Sequence, residues 1–300
     1  MSLLDRAIGL TLPLVPKPIV RRFSKPYIAG TSAEHAFRVV EDLARQGAMS
    51  TLDILGEFIR TRDEAEANTR SYQELVRSVS ARKLRDTNVS VKLTALGLLI
   101  DPALCLDNMR ALLGTVAAEN SFARIDMEDS RCTDATLRIY DTLRREFPGR
   151  VGVALQAYLR RTIADVERLT ASPASFRVCK GIYVEPRAIA YQDREIVRRN
   201  FVRAVERSIE RGAYVGIATH DELVVWESLR VVQQHGLRPE QYEFQMLLGV
   251  DEALRRILID SGHRLRVYVP FGEHWYSYST RRLRENPRIA GYVLKAILSR

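Results

Sequence analysis

Ionisable and hydrogen-bonding side chains recur late in short apolar runs along this 300-residue chain. Lys92 sits within Val-Ser-Val-Lys-Leu-Thr, Asp126 and Glu128 close Arg-Ile-Asp-Met-Glu-Asp, and Gln156 and Tyr158 end Leu-Gln-Ala-Tyr. Arg177, Lys180 and Tyr183 belong to Arg-Val-Cys-Lys-Gly-Ile-Tyr, Thr219 and His220 to Ala-Thr-His-Asp, and Tyr268 precedes Pro-Phe-Gly. One such residue alone reads as a helix cap or as a lysine reaching a rim. Repetition over six runs reads as a site, because burying such groups without mutual partners costs roughly several kcal/mol each. Further on, Tyr278, Arg281, Arg282 and Glu285 fall at i, i+3, i+4 and i+7, one face of a helix. Two guanidinium forks one turn from a tyrosine suit a carboxylate or a phosphate. These types describe an enzyme with a small anionic substrate. They leave the reaction open, and a Schiff-base lyase using Lys92 or Lys180 is compatible. HExxH, GxSxG and P-loop spacings are missing, so no metal is expected.

The elements that must position these groups are eight apolar runs: Ser50–Leu55, Val89–Leu96, Phe122–Met127, Gly152–Ala157, Phe176–Tyr183, Tyr214–Thr219, Tyr242–Leu248 and Leu265–Val269. Helical spacing marks Asp107–Glu119, Arg187–Arg211 and Glu222–His235 between them. Asp221 stands where it can cap the last of these, and Gly212 and Gly236 stand where helices stop. Eightfold strand–helix alternation requires parallel strands with crossover connections. The expected fold is α/β, a distorted (β/α)8 barrel with chemistry at the strand C-terminal ends. An open doubly wound sheet is the alternative, but Gly-Glu-Phe-Ile-Arg after Leu55 lacks its glycine fingerprint. Residues 1–48 then form an additional N-terminal helical segment, and residues 49–300 the catalytic barrel.

Composition narrows the class. Apolar residues are 46% and charged residues 28%, which excludes disordered and collagen-like chains. Three cysteines, with no CxxC, argue against a disulfide scaffold and for a reducing compartment. No apolar stretch reaches the ~20 residues of a spanning helix. The net charge is +9, with +4 in residues 1–30 and +4 in residues 272–300. Charge confined to the termini matches no nucleic-acid motif, so no nucleic-acid partner is expected. A basic, partly apolar N-terminus fits contact with an anionic membrane surface.

Taken together, VSVKLTALG (89–97), RIDMEDS (124–130), LQAY (155–158), RVCKGIYVEP (177–186), ATHDE (218–222), YEFQMLLG (242–249) and VYVPFGEHWYSYSTRRLRENP (267–287) resemble the proline dehydrogenase family. The resemblance runs in order over about residues 28–290, and the chain looks like the monofunctional bacterial form. It implies FAD bound without a Rossmann motif, a cofactor that residue types alone do not indicate. It implies that L-proline loses a hydride to the flavin N5, giving Δ1-pyrroline-5-carboxylate, with electrons passing to a membrane quinone. By resemblance, Lys92, Arg281 and Arg282 hold the proline carboxylate, and Tyr268 and Tyr278 pack round its ring. Asp126 pairs with Lys92 and orients a tyrosine, and Arg177 lies near the flavin N5. Met127, Gln156, Lys180, Gly181, Ile182, Thr219 and His220 line the FAD, with Glu285 as a further contact. Ile182 stands where many relatives have alanine. The implied location is cytoplasmic, peripheral on the inner face of the membrane, with functional coupling to a Δ1-pyrroline-5-carboxylate dehydrogenase.

Overall fold

Eight parallel strands close into a barrel in sequence order in the computed structural model, which describes residues 20, 24–56, 59–170, 173–276, 278 and 279. Helix α1 (Ala33–Arg45) precedes β1 (Met49–Ile54). There follow α2 (Arg62–Ala81), β2 (Thr87–Val91), α3 (Pro102–Ala118), β3 (Ala123–Ile125), α4 (Ser130–Glu146), β4 (Val151–Gln156) and α5 (Thr162–Leu169). The circuit ends with β5 (Ser175–Cys179), α6 (Arg194–Glu210), β6 (Tyr214–Ala218), α7 (Glu222–Gln234), β7 (Tyr242–Leu247), α8 (Glu252–Asp260) and β8 (Leu265–Phe271). Pairing of β8 with β1, Tyr268 opposite Thr51, closes the ring and removes the open-sheet alternative. Helix α1 packs against β1 and β8 at this seam. The preceding segment follows it: Ala29 N–H donates to Pro270 O at 2.9 Å, and Gly272 N–H to Gly30 O at 3.0 Å.

Local signals place several boundaries as expected. Gly212 and Gly236 take φ of +75° and +60° just beyond α6 and α7. A Thr61–Glu64 capping box opens α2. Four expectations are corrected. Strand β2 stops at Val91, because Leu93–Leu96 wind into a 3-10 turn held where Thr94 N–H donates to Glu128 at 3.1 Å. Strand β5 stops at Cys179 rather than Tyr183, since Gly181 at φ +105° turns the chain. Helix α6 starts at Arg194, seven residues later than its periodicity suggests, where Asp193 caps the N–H groups of Glu195 and Ile196. Asp221 precedes α7 without capping it, because its carboxylate is taken by Lys180 and Arg198. The helix expected from Tyr278 onward lies almost wholly outside the described residues.

The main apolar core lies between strands and helices. Outward side chains such as Leu52, Val91, Ile125, Val153, Val178, Ile217, Phe244 and Val269 are fully or almost fully buried there. The barrel interior is unlike the usual layers of branched apolar residues. Arg124, Arg177, Glu243, Gln245 and Arg266 fill it, each at most 7% exposed. Their length requires small neighbours. A Cβ on Gly152 would overlap the Arg124 guanidinium, and one on Gly216 would overlap the Gln245 amide. At the floor, Arg266 donates to both Glu243 oxygens, at 2.8 and 3.0 Å, and Tyr214 donates to one of them at 2.9 Å.

Burial pushes the Glu243 carboxyl up, but Arg266, then Arg124 and the Tyr214 hydroxyl, outweigh it and hold it at about 2. A carboxylate depressed in the folded state stabilises the fold above its unfolded value and loses that contribution as pH falls. Urea unfolding stability should therefore drop between about pH 4.5 and 2. Glu243→Gln should flatten that slope while lowering stability at pH 7. An unchanged slope in the variant would refute this account.

Candidate active site

Strand ends β2 to β8 converge on a cavity of about 530 Å³ at the C-terminal face of the barrel. Its size suits a small-molecule site. Every described residue singled out for substrate or cofactor lines it: Lys92, Asp126, Arg177, Tyr268 and Tyr278 on one hand, and Met127, Gln156, Lys180, Gly181, Ile182, Thr219 and His220 on the other. Arg281, Arg282 and Glu285 lie outside the described residues.

Lys92 leaves the end of β2 and donates to both oxygens of Asp53 on β1, at 2.9 and 2.8 Å. Its Nζ stands 3.9 Å from Asp126 and 3.5 Å from the Tyr268 hydroxyl. The expected Lys92–Asp126 pairing is thus the longer of two, and the principal partner is Asp53, fully buried in the barrel. The Tyr72 hydroxyl reaches Asp53 at 3.3 Å from α2. Burial pushes the Asp53 carboxyl up, and the Lys92 ammonium opposes that rise.

Asp126 holds two groups. Arg177 Nη1 donates to its Oδ1 at 2.5 Å, and the Tyr268 hydroxyl donates to its Oδ2 at 2.8 Å. Arg177 is gripped on its other edges, by Gln245 Oε1 through Nε and by Ser90 Oγ at 2.9 Å through Nη2. Its guanidinium also lies over the Tyr268 ring, 5.4 Å from the centroid. Burial, then the charges of Asp126 and Asp53, push the Tyr268 hydroxyl well up, so it remains a donor.

The far wall is built from β5 to β7. Lys180 pairs with Asp221, which also accepts from Arg198 at 2.7 Å. His220 Nε2 accepts the Leu247 N–H at 2.8 Å, which leaves that nitrogen unprotonated. Gln156 donates to Met127 O at 3.3 Å, while its buried Oε1 meets no donor among the described residues. That atom offers an acceptor to a donor on an occupant. Two expected polar groups stand aside from the cavity. Glu128 braces Thr94, and Tyr158 packs its ring beneath Gly181.

Two contributors escaped sequence reasoning, Asp53 and Gln245, and a third, Asp221, was read only as a helix cap. Asp53 sits inside Met-Ser-Thr-Leu-Asp-Ile, where a single acid gives no periodic signal. Gln245 shares the β7 interior face with Glu243, and that i, i+2 polar pair was the available clue.

Fold and site define an α/β-barrel enzyme with a cation-walled, small-molecule cavity at its catalytic face. A sequence profile described as proline dehydrogenase matches residues 36–294. A proline dehydrogenase from Deinococcus radiodurans is 36% identical over 276 residues, 91% of this chain and 89% of that protein. Proline dehydrogenase 1 of Bacillus subtilis is 33% identical over 277 residues, 92% of this chain and 91% of that protein. Among solved structures, proline utilization A (PutA) from Bdellovibrio bacteriovorus, inactivated by N-propargylglycine, superposes with a TM-score of 0.83 at 26% identity. It covers 88% of this chain, which spans 33% of that one. This chain belongs to the proline dehydrogenase family, oxidoreductases of the first step of proline catabolism. The lyase alternative falls with that assignment, and both lysines are tied to carboxylates where imine chemistry requires a free amine.

Breaking a buried ion pair costs more than removing it whole. Asp53→Asn and Lys92→Met should each destabilise the protein by about 3 kcal/mol, and the double variant by less than their sum. Additive losses in urea unfolding would contradict the pairing.

Proposed function

We propose that this cavity oxidises L-proline to Δ1-pyrroline-5-carboxylate, with FAD as resident acceptor and a membrane quinone as onward acceptor. The carrying observation is the meeting of Lys92, Arg177 and Lys180 with Asp126, Tyr268 and Tyr278 in one cavity. The walls fit a flavin: Gln156 Oε1 awaits a donor such as the ring imide, and Lys180 supplies a cation for an anionic cofactor. Met127, Gln156, Lys180, Gly181, Ile182, Thr219 and His220 hold it in this reading, with Glu285. When bound, FAD supplies the acceptor for the hydride that leaves the ring carbon beside the proline nitrogen.

The chain's own groups do the positioning. Lys92 takes the proline carboxylate, and Tyr268 and Tyr278 wall the ring. Asp126 fixes both the Tyr268 hydroxyl and Arg177, so neither has to reorient as charge develops. Lys92 and Arg177 are balanced by Asp53 and Asp126. The surplus positive charge that a carboxylate needs therefore comes from Arg281 and Arg282. Residues 49–300 form the catalytic unit, with residues 1–48 as its N-terminal segment. That segment's basic end docks a cytoplasmic enzyme on the inner membrane face, and the product passes to a Δ1-pyrroline-5-carboxylate dehydrogenase. None of the described helices is long and apolar enough to cross a membrane.

A visible absorption spectrum tests the cofactor and substrate together. Flavin bands should be present and should bleach on anaerobic addition of L-proline. Bands that ignore proline would reject the substrate, with Ile182 the first residue to change. Lys92→Ala and Arg281→Ala should each raise KM for proline by a factor worth about 2–3 kcal/mol while flavin content holds. Loss of flavin from Lys92→Ala would reassign that residue. Deleting residues 1–28 should abolish binding to anionic liposomes.

A further inference from the structure

We propose that the cavity at the opposite, N-terminal face of the barrel is a second binding site, for a small dianionic oxyanion: a phosphate group or a pair of carboxylates. This cavity measures about 600 Å³ and opens among the starts of the strands. Five arginines line it, Arg124, Arg144, Arg145, Arg264 and Arg266, against one carboxylate, Glu243. Glu243 is committed to Arg266. Arg144 and Arg145 share Asp141 just outside the lining.

Two guanidinium groups remain without an ion pair among the described residues. Arg124 is 3% exposed, yet its nitrogens meet only neutral partners, Ser175 O at 2.8 Å and Ser175 Oγ at 3.0 Å. The Phe122 ring lies 4.9 Å from it. Arg264 donates to Glu240 O at 3.3 Å and to Met49 Sδ at 3.2 Å. A buried guanidinium with only neutral acceptors is half of an interaction. Burial, then the charge of Arg177, pushes Arg124 down to about 10 although the Glu243 carboxylate opposes that fall, and an anion in the cavity would oppose it further. Five guanidinium groups against Glu243 and the one carboxylate that Arg144 and Arg145 share leave positive charge in excess, enough to hold a dianion. On the same wall, the buried Oδ1 of Asn88 has no donor among the described residues and suits a hydroxyl on the anion, as hydrogenphosphate carries. The inference is independent of what the catalytic-face cavity binds.

Isothermal titration calorimetry of the purified full chain with inorganic phosphate, and separately with succinate, tests the site. At least one anion should bind saturably. Arg264→Gln, on a half-buried residue at the cavity edge, should weaken it at least tenfold while the KM for proline holds. Arg124→Lys, which keeps the charge but loses the fork, should also weaken it at least tenfold. Tighter phosphate would identify a phosphoryl ligand, and tighter succinate a dicarboxylate. Saturation by neither anion, or unchanged affinity in Arg264→Gln, would overturn the proposal.

Discussion

A charge placed inside a closed barrel has little water to turn to, so it must find its partner among the other strands. That demand organises this molecule. Contacts run from Arg266 to Glu243, on through Gln245 to Arg177, then to Asp126 and Tyr268, with Lys92 and Asp53 alongside. Each member is satisfied by a residue from another strand or from the next layer of its own. An uncompensated charge in such surroundings costs several kcal/mol, of the order of a domain's whole margin of stability. The apolar residues are accordingly displaced outward, to the layer between strands and helices.

The same economy of partners makes the catalytic face stiff. Arg177 is held at three nitrogens and against an aromatic ring. Groups so held present fixed charge to whatever enters, which is the condition for electrostatic preorganisation. Stiffness here comes from the interior of the barrel. The loops supply the complementary wall: Gly181 and its neighbours after β5, and Asp221 after β6, where one carboxylate joins Lys180 to Arg198 of α6.

Much of this was legible in the sequence. Eight apolar runs, six of them with polar ends, specify the barrel, and the described residues named for substrate or cofactor share one cavity. Boundaries were less legible, because run length follows apolarity whereas strand length follows pairing. Leu93–Leu96 is fully buried or nearly so, yet it coils, since Glu128 captures Thr94. Asp221 carries the residue type of a cap, but two nearby cations compete for its carboxylate and win. Asp53 was invisible for a different reason. Its meaning lies in Lys92, 39 positions away, and no local pattern encodes a partner on the neighbouring strand.

Gly152 and Gly216, which face the interior, tie neighbouring strands together in what they can tolerate. Gly152 leaves the volume occupied by the Arg124 guanidinium, and Gly216 leaves the volume occupied by the Gln245 amide. Each long polar residue and its glycine are therefore one character shared between neighbouring strands. A β-carbon at either position needs its long neighbour to swing aside or shorten, and at Gly152 it also comes within 2.8 Å of Ser175 O. Substitution at either glycine is therefore felt on the next strand, so the interior of the barrel varies by pairs of positions rather than singly.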